Sequence, residues 1–341
     1  MAKSAIAFLL IMTVGFSSKL VIGVEGPAPV PLIFDTDVGN DIDDALALGV
    51  IHALRSRHEC RLLAVTINKD EPSCAPFVDL VNTFYGEAAV PVGLVRNGKT
   101  PEASRYTGPV VEARDNGRLR YPRDLASGRD APDAVELLRE TLAGQPNGSV
   151  VIVAVGFSTN LARLLDSPAD DRIKQTGLEL VAAKCRLLSM MAGQFGGNER
   201  RPEYNVVTDL PSASSVFARW PTPIVASGFE IGTAVLFPGR SIESDFGYVD
   251  HHPLCDAYRA YDRMPYDRPT WDLTSVLYAV RPDRGYFGLS QPGVIEVDDK
   301  GVTSFRPRPD GKHRYLTIDR EQIERTREAL VLLASQPPDK K

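Results

Sequence analysis

Residues 35–46 read Asp35-Thr36-Asp37-Val38-Gly39-Asn40-Asp41-Ile42-Asp43-Asp44-Ala45-Leu46, which places five carboxylates within ten positions. The apolar residues just before them predict a buried strand, so Asp35 and Asp37 project to one face of its carboxyl end. Asp43 and Asp44 open an Ala- and Leu-rich helix, where the dipole favours negative charge. Neighbouring helical positions diverge by about 100°, so these two acids serve different partners. Repulsion among so many anions is most simply relieved by a hard divalent cation with oxygen ligands, Ca²⁺ or Mg²⁺. An EF-hand does not fit, because Asn40 stands where its glycine belongs and Leu46 where its closing Glu belongs. A phosphatase with an aspartate pair after a strand would leave Asp43-Asp44 unexplained.

The elements that must position these acids alternate along the chain. Strands are predicted over 31–37, 61–68, 90–95, 149–155, 186–191 and 223–226, and helices over 43–54, 77–85, 133–142, 161–165 and 213–220. This order predicts an α/β fold, a mostly parallel open sheet flanked by helices. Residues 96–129, rich in Gly, Arg, Pro and Asp, read as a long loop able to cover a site. A second polar stretch covers 241–268. Residues 293–316 predict a small C-terminal addition of antiparallel strands, followed by an amphipathic helix over 319–335. There is no internal repeat, phosphate-binding glycine loop, CxxC or HExxH spacing.

The 341 residues are 43% hydrophobic and 24% charged, enough to bury a large core, which excludes disorder for the bulk of the chain. Lys and Arg total 39 against 44 Asp and Glu, a net charge of −5 that offers no general attraction to nucleic acid or anionic lipid. Lys3, the apolar run over 5–14 and the small residues that follow have the form of a signal peptide. The expected organisation is a signal peptide over 1–25, one domain over 26–336 and a disordered tail over 337–341. The expected location is periplasmic or extracellular, without membrane insertion after signal removal. Cys60, Cys74, Cys185 and Cys255 are too few for a disulfide scaffold and are expected to be buried thiols.

Five blocks, in order, carry a resemblance to a known family. They are the acidic segment; Ala64-Val65-Thr66-Ile67-Asn68; Val155-Gly156-Phe157-Ser158-Thr159-Asn160-Leu161-Ala162; the stretch with Met191-Ala192-Gly193, Gly197-Asn198 and Glu203-Tyr204-Asn205; and Trp271-Asp272-Leu273-Thr274. Together they resemble the inosine-uridine nucleoside hydrolases over residues 31–282. The resemblance implies Ca²⁺ held by Asp37, Asp44, Asp272 and the carbonyl of Val155. It implies Asp37 as general base, and Asp43, Asn68, Asn198, Glu203 and Asn205 on ribose hydroxyls with Met191 packed nearby. It further implies a nucleoside or riboside substrate and a homodimer or homotetramer. Such hydrolysis passes through an oxocarbenium-like sugar, which carboxylates and amide carbonyls stabilise.

Two features depart from the family pattern. Asn40-Asp41 lengthen the acidic loop by two residues; Asp43-Asp44 remain the matching pair, since Ala45-Leu46-Ala47-Leu48 follows them. Trp271 stands where the family often has His, and an indole has no mobile proton to give a departing base. His251, His252, Tyr258, Tyr261 and Tyr266 are the substitutes within reach of sequence reasoning. The competing reading is a metal-dependent ribose- or riboside-binding protein with weak turnover.

Overall fold

The computed structural model describes residue 1 and residues 28–197 and 200–339. The expected signal peptide beyond Met1 and the predicted ribose contact Asn198 lie outside the described residues.

Among the described residues ten strands build the main sheet, nine of them in one row, β1 (Val30–Thr36), β2 (Cys60–Lys69), β3 (Val92–Lys99), β4 (Val150–Ala154), β5 (Cys185–Met191), β6 (Ile224–Ser227), β7 (Gly293–Val297), β8 (Thr303–Pro307) and β9 (His313–Thr317), with the short strand Gly288–Leu289 paired antiparallel to β9 off that row. Their spatial order is β8-β7-β9-β6-β5-β4-β1-β2-β3. Every pairing from β9 through β3 is parallel. The sequence explains this: β4 reads VVIVA and is buried at every position, as a strand covered on both faces must be. The chain leaves β1 toward β2 and β3, then returns to β4 on the other side of β1. That reversal opens a crevice at the carboxyl ends of β1 and β4, where open parallel sheets place their ligands.

The C-terminal addition is antiparallel only in part. β7 pairs antiparallel with β8 and β9, whereas β9 lies parallel to β6, with His313 opposite Ile224. The expected antiparallel strands are present there, and β9 in addition reaches the edge of the main sheet and follows its direction. The polar stretch 241–268 also contains more order than its composition suggests. It includes the helix Pro253–Tyr261, started by Pro253 and by His252, whose ring nitrogen accepts from Leu254 N at 3.2 Å. All four cysteines are buried and unpaired. No helix among the described residues is long and apolar enough to cross a membrane.

Two histidines are built into the core. His52 stacks on Tyr85 at 4.7 Å and its Nε2 meets Asn82 Oδ1 at 2.9 Å. His252 is ringed by Phe84, Tyr85, Phe246 and Tyr248. Burial pushes both down to about 3, so the folded state resists the proton that the unfolded chain accepts near 6.5. Their contribution to stability is complete above pH 6.5 and is lost as pH falls from there toward 3. Urea unfolding at several pH values is expected to show this. His52→Gln should reduce the slope of stability against pH between 6 and 4 by about 1.4 kcal/mol per pH unit relative to the parent.

Candidate active site

The crevice holds a cavity of about 340 Å³, lined by residues from seven separate stretches of the described chain. β1 runs into Asp37, and the loop after it contributes Asn40 and Asp41. The first turn of α1 (Asp43–Ser56) brings Asp43 and Asp44, and the ends of β4 and β5 bring Val155 and Met191. Glu203, Tyr204 and Asn205 come from the start of α2 (Tyr204–Thr208), and Phe229 from the start of α3 (Phe229–Ala234). Tyr261 ends α4 (Pro253–Tyr261), and Trp271 and Asp272 open α5 (Trp271–Val280).

Oxygen atoms of Asp43, Asp44 and Asp272 lie within 4.8 Å of one another, and all three side chains are buried. Asp37 lines the same cavity but is not one of that trio. The converging set is therefore Asp43, Asp44 and Asp272, with the residue assigned to ribose among it and the residue assigned to general base beside it. Asp43 Oδ2 also accepts from Asp272 N at 3.1 Å, which ties the two helix starts together. Thr36 Oγ1 donates to Asp44 Oδ1, while Asp44 Oδ2 is buried with no hydrogen-bond partner.

Burial, and then mutual repulsion, hold Asp43, Asp44 and Asp272 well above the usual carboxylate range. Burial pushes Asp37 up to about 6, against a lowering hydrogen bond from Asn40 Nδ2 at 2.8 Å. The geometry suits a cation: converging hard oxygens, an orphaned carboxylate oxygen and repulsion that a positive charge would relieve.

The remaining expected residues are placed unequally. Val155, Met191, Glu203 and Asn205 reach the cavity. Asn205 Nδ2 donates to the Val155 carbonyl at 2.9 Å and to the Met191 carbonyl at 3.2 Å. Glu203 caps α2, accepting from Asn205 N and Val206 N, and also accepts from Gly193 N at 3.1 Å. Burial pushes its carboxyl up to about 7.

Asn68 is fully buried and is not among the lining residues. Its Nδ2 donates to Asp35 Oδ2 at 2.9 Å and its Oδ1 accepts from Phe157 N at 3.1 Å. Asp35 takes two more donors, Thr66 Oγ1 at 2.6 Å and Asn160 Nδ2 at 2.8 Å. These bonds lace β1, β2 and the start of the Thr159–Asp166 helix together directly behind the cavity.

Among the candidates for a leaving-group acid, Tyr261 alone lines the cavity. His252 is packed in the core as described, and the Tyr258 and Tyr266 hydroxyls each donate to the other's backbone carbonyl. Trp271 Nε1 is engaged by Phe229 O at 2.9 Å and Thr233 Oγ1 at 3.2 Å. Three participants escaped sequence reasoning. Asn40 bonds Asp37; Tyr106 accepts from Gly39 N at 2.6 Å and donates to Asp41 O at 2.7 Å; Arg268 pairs with Asp41. The long loop over 96–129 could have suggested Tyr106 as a cover; no local signal marked Arg268.

The family profile described as inosine-uridine preferring nucleoside hydrolase matches residues 32–328. The chain belongs to that family. It is thus a hydrolase of N-glycosyl bonds, and its sheet and helices are those of solved relatives. A plant nucleoside hydrolase has 23% identity and a TM-score of 0.62, covering 91% of this chain and 100% of that one. The inosine-uridine preferring hydrolase of Bacillus anthracis has 17% identity and a TM-score of 0.65, covering 90% and 99%. The type III effector XopQ, solved in complex with adenosine diphosphate ribose, has 16% identity and a TM-score of 0.66, covering 92% and 96%. No curated protein matches the chain by sequence.

Gly156 shows how tightly the hydrolase packs behind Asp37. A Cβ there would lie 2.6 Å from both Asp37 N and Asn68 Oδ1. Gly156→Ala is expected to lower stability by about 1–3 kcal/mol and to displace Asp37, seen as a lower denaturation midpoint with reduced hydrolysis.

Proposed function

We propose that this hydrolase cleaves the N-glycosidic bond of ribonucleosides with Ca²⁺ in the acidic bowl, releasing base and ribose. The observation that carries the reading is the convergence of Asp43, Asp44 and Asp272 beside Asp37 in one cavity at the sheet's switch point. Asp44 and Asp272, with Asp37 or Asp43 and the Val155 carbonyl, would hold the ion. When bound, Ca²⁺ supplies positive charge that orients the sugar diol and acidifies a water.

The chain's own groups do the rest. Asp37, steadied by Asn40, takes the proton from the attacking water. Glu203 and Asn205, fixed by backbone bonds, offer oxygens around the sugar and stabilise positive charge as it develops there. A sugar lacking a hydroxyl would leave these buried polar groups unpaired, which favours ribose over deoxyribose. Tyr204, Phe229, Tyr261 and Trp271 give the base an aromatic mouth. Tyr261 is the proposed proton donor to the departing base; burial pushes its phenol up to about 12, so it stays protonated at neutral pH. We also propose export, on Lys3 and the apolar run over 5–14.

The test is a panel of purine and pyrimidine ribonucleosides, their deoxy forms and adenosine diphosphate ribose, followed by reducing-sugar release. Release should require Ca²⁺, stop with chelator and fall about 100-fold or more in Asp37→Asn. Tight binding without release would instead support the binding-protein reading, and release that persists in chelator would remove the cation from the account.

A further inference from the structure

The two residues that lengthen the acidic loop are engaged with the rest of the site. Asn40 bonds the base Asp37, and Asp41 forms a side-on ion pair with Arg268, whose Nε donates to Asp41 Oδ1 at 2.8 Å and whose Nη2 donates to Oδ2. Asp41 is held from behind by Tyr106, whose hydroxyl donates to its carbonyl. The Arg268 guanidinium carbon also lies over the Tyr261 ring at 5.2 Å and over the Trp271 ring at 5.4 Å. Arg268 does not line the cavity, yet it touches three residues that do, and so joins the distant acidic loop to the end of α4 and the start of α5. Trp271 is in turn stacked on Phe229 at 5.4 Å.

This arrangement answers a need created by Trp271. Hydrolysis breaks the bond from sugar carbon to base nitrogen; water adds hydroxyl to the carbon, and the base carries off the bonding pair and must gain a proton. With the indole N–H engaged by Phe229 and Thr233, no proton comes from that position, so departure depends on how accurately Tyr261 and the aromatic wall meet the base. An arginine fork is rigid and planar, suited to clamping a carboxylate while presenting its faces to aromatic rings.

We propose that Arg268 is a positioning residue for leaving-group departure: its clamp on Asp41, made while it lies over Tyr261 and Trp271, fixes the wall against which the base leaves. The proposal rests on the hydrolase reading above and adds a division of labour. The acidic bowl serves the sugar, and the Asp41–Arg268 pair serves the base.

The experiment compares parent, Arg268→Gln, Arg268→Lys and Asp41→Asn on inosine and uridine and on p-nitrophenyl β-D-ribofuranoside, whose nitrophenolate departs without a proton. Arg268→Gln should lower kcat/KM on the nucleosides by about tenfold or more, mainly through kcat, and lower it on the nitrophenyl riboside by less than about threefold. Arg268→Lys, which keeps the charge and loses the fork, should recover part of the nucleoside rate. Asp41→Asn should follow Arg268→Gln and carries the comparison if that variant does not fold.

Equal losses on both substrate types, or no loss on nucleosides, would overturn the role of Arg268 while leaving the hydrolase reading intact. A parent protein that cleaves none of the three substrates would overturn that reading and, with it, this one.

Discussion

Carboxylates that share a buried cavity repel one another, and water is too scarce there to screen them. That constraint organises this molecule. Asp37, Asp43, Asp44 and Asp272 are all nearly inaccessible, and each titrates above its ordinary range because burial, and then its neighbours, oppose the charge. A fold gains nothing from such a cluster on its own account. The cluster persists because the surrounding elements over-determine it: helix starts at Asp43 and Trp271, the strand end at Asp37, and hydrogen bonds from Thr36, Asn40 and the Asp272 backbone. A divalent cation would turn the same repulsion into a binding site.

Behind the bowl sits a second acid with the opposite character. Asp35 is fully buried, and burial pushes it up to about 6 despite three side-chain donors, Thr66, Asn68 and Asn160. Those bonds join neighbouring parallel strands to a helix start, so Asp35 acts as a fastener at the sheet's switch point. The distinction between Asp35, on β1, and Asp37, just past its end, is set by what surrounds them. One meets amides and a hydroxyl; the other meets a cavity.

Much of the fold was legible in the sequence because its signals are local. β-Branched runs such as 150–154 announce strands buried on both faces, and Asp133 and Asp319 mark helix starts by accepting the orphan N–H groups that follow them. The direction of β9 was not legible, since parallel or antiparallel pairing is decided by where the chain returns. The polar stretch 241–268 misled for a related reason: His252, polar by type, is buried among four aromatic rings.

Within the site, the acids were legible because their number at a strand end is hard to explain as solvated surface. Asn68 shows the limit of that reasoning, since its amide is engaged by Asp35 and Phe157. Arg268 lay beyond reach, for its partner Asp41 is 227 residues away and neither carries a motif.

Asp44 and Asp272 are proposed to belong to one cation site beneath the sugar. Calorimetric titration of Ca²⁺ into the metal-stripped protein addresses it most directly, with Asp44→Asn and Asp272→Asn alongside. One tight site per chain is expected in the parent, and its loss in each variant, with both variants still folded. Undiminished Ca²⁺ binding in either variant, or no binding in the parent, would contradict it.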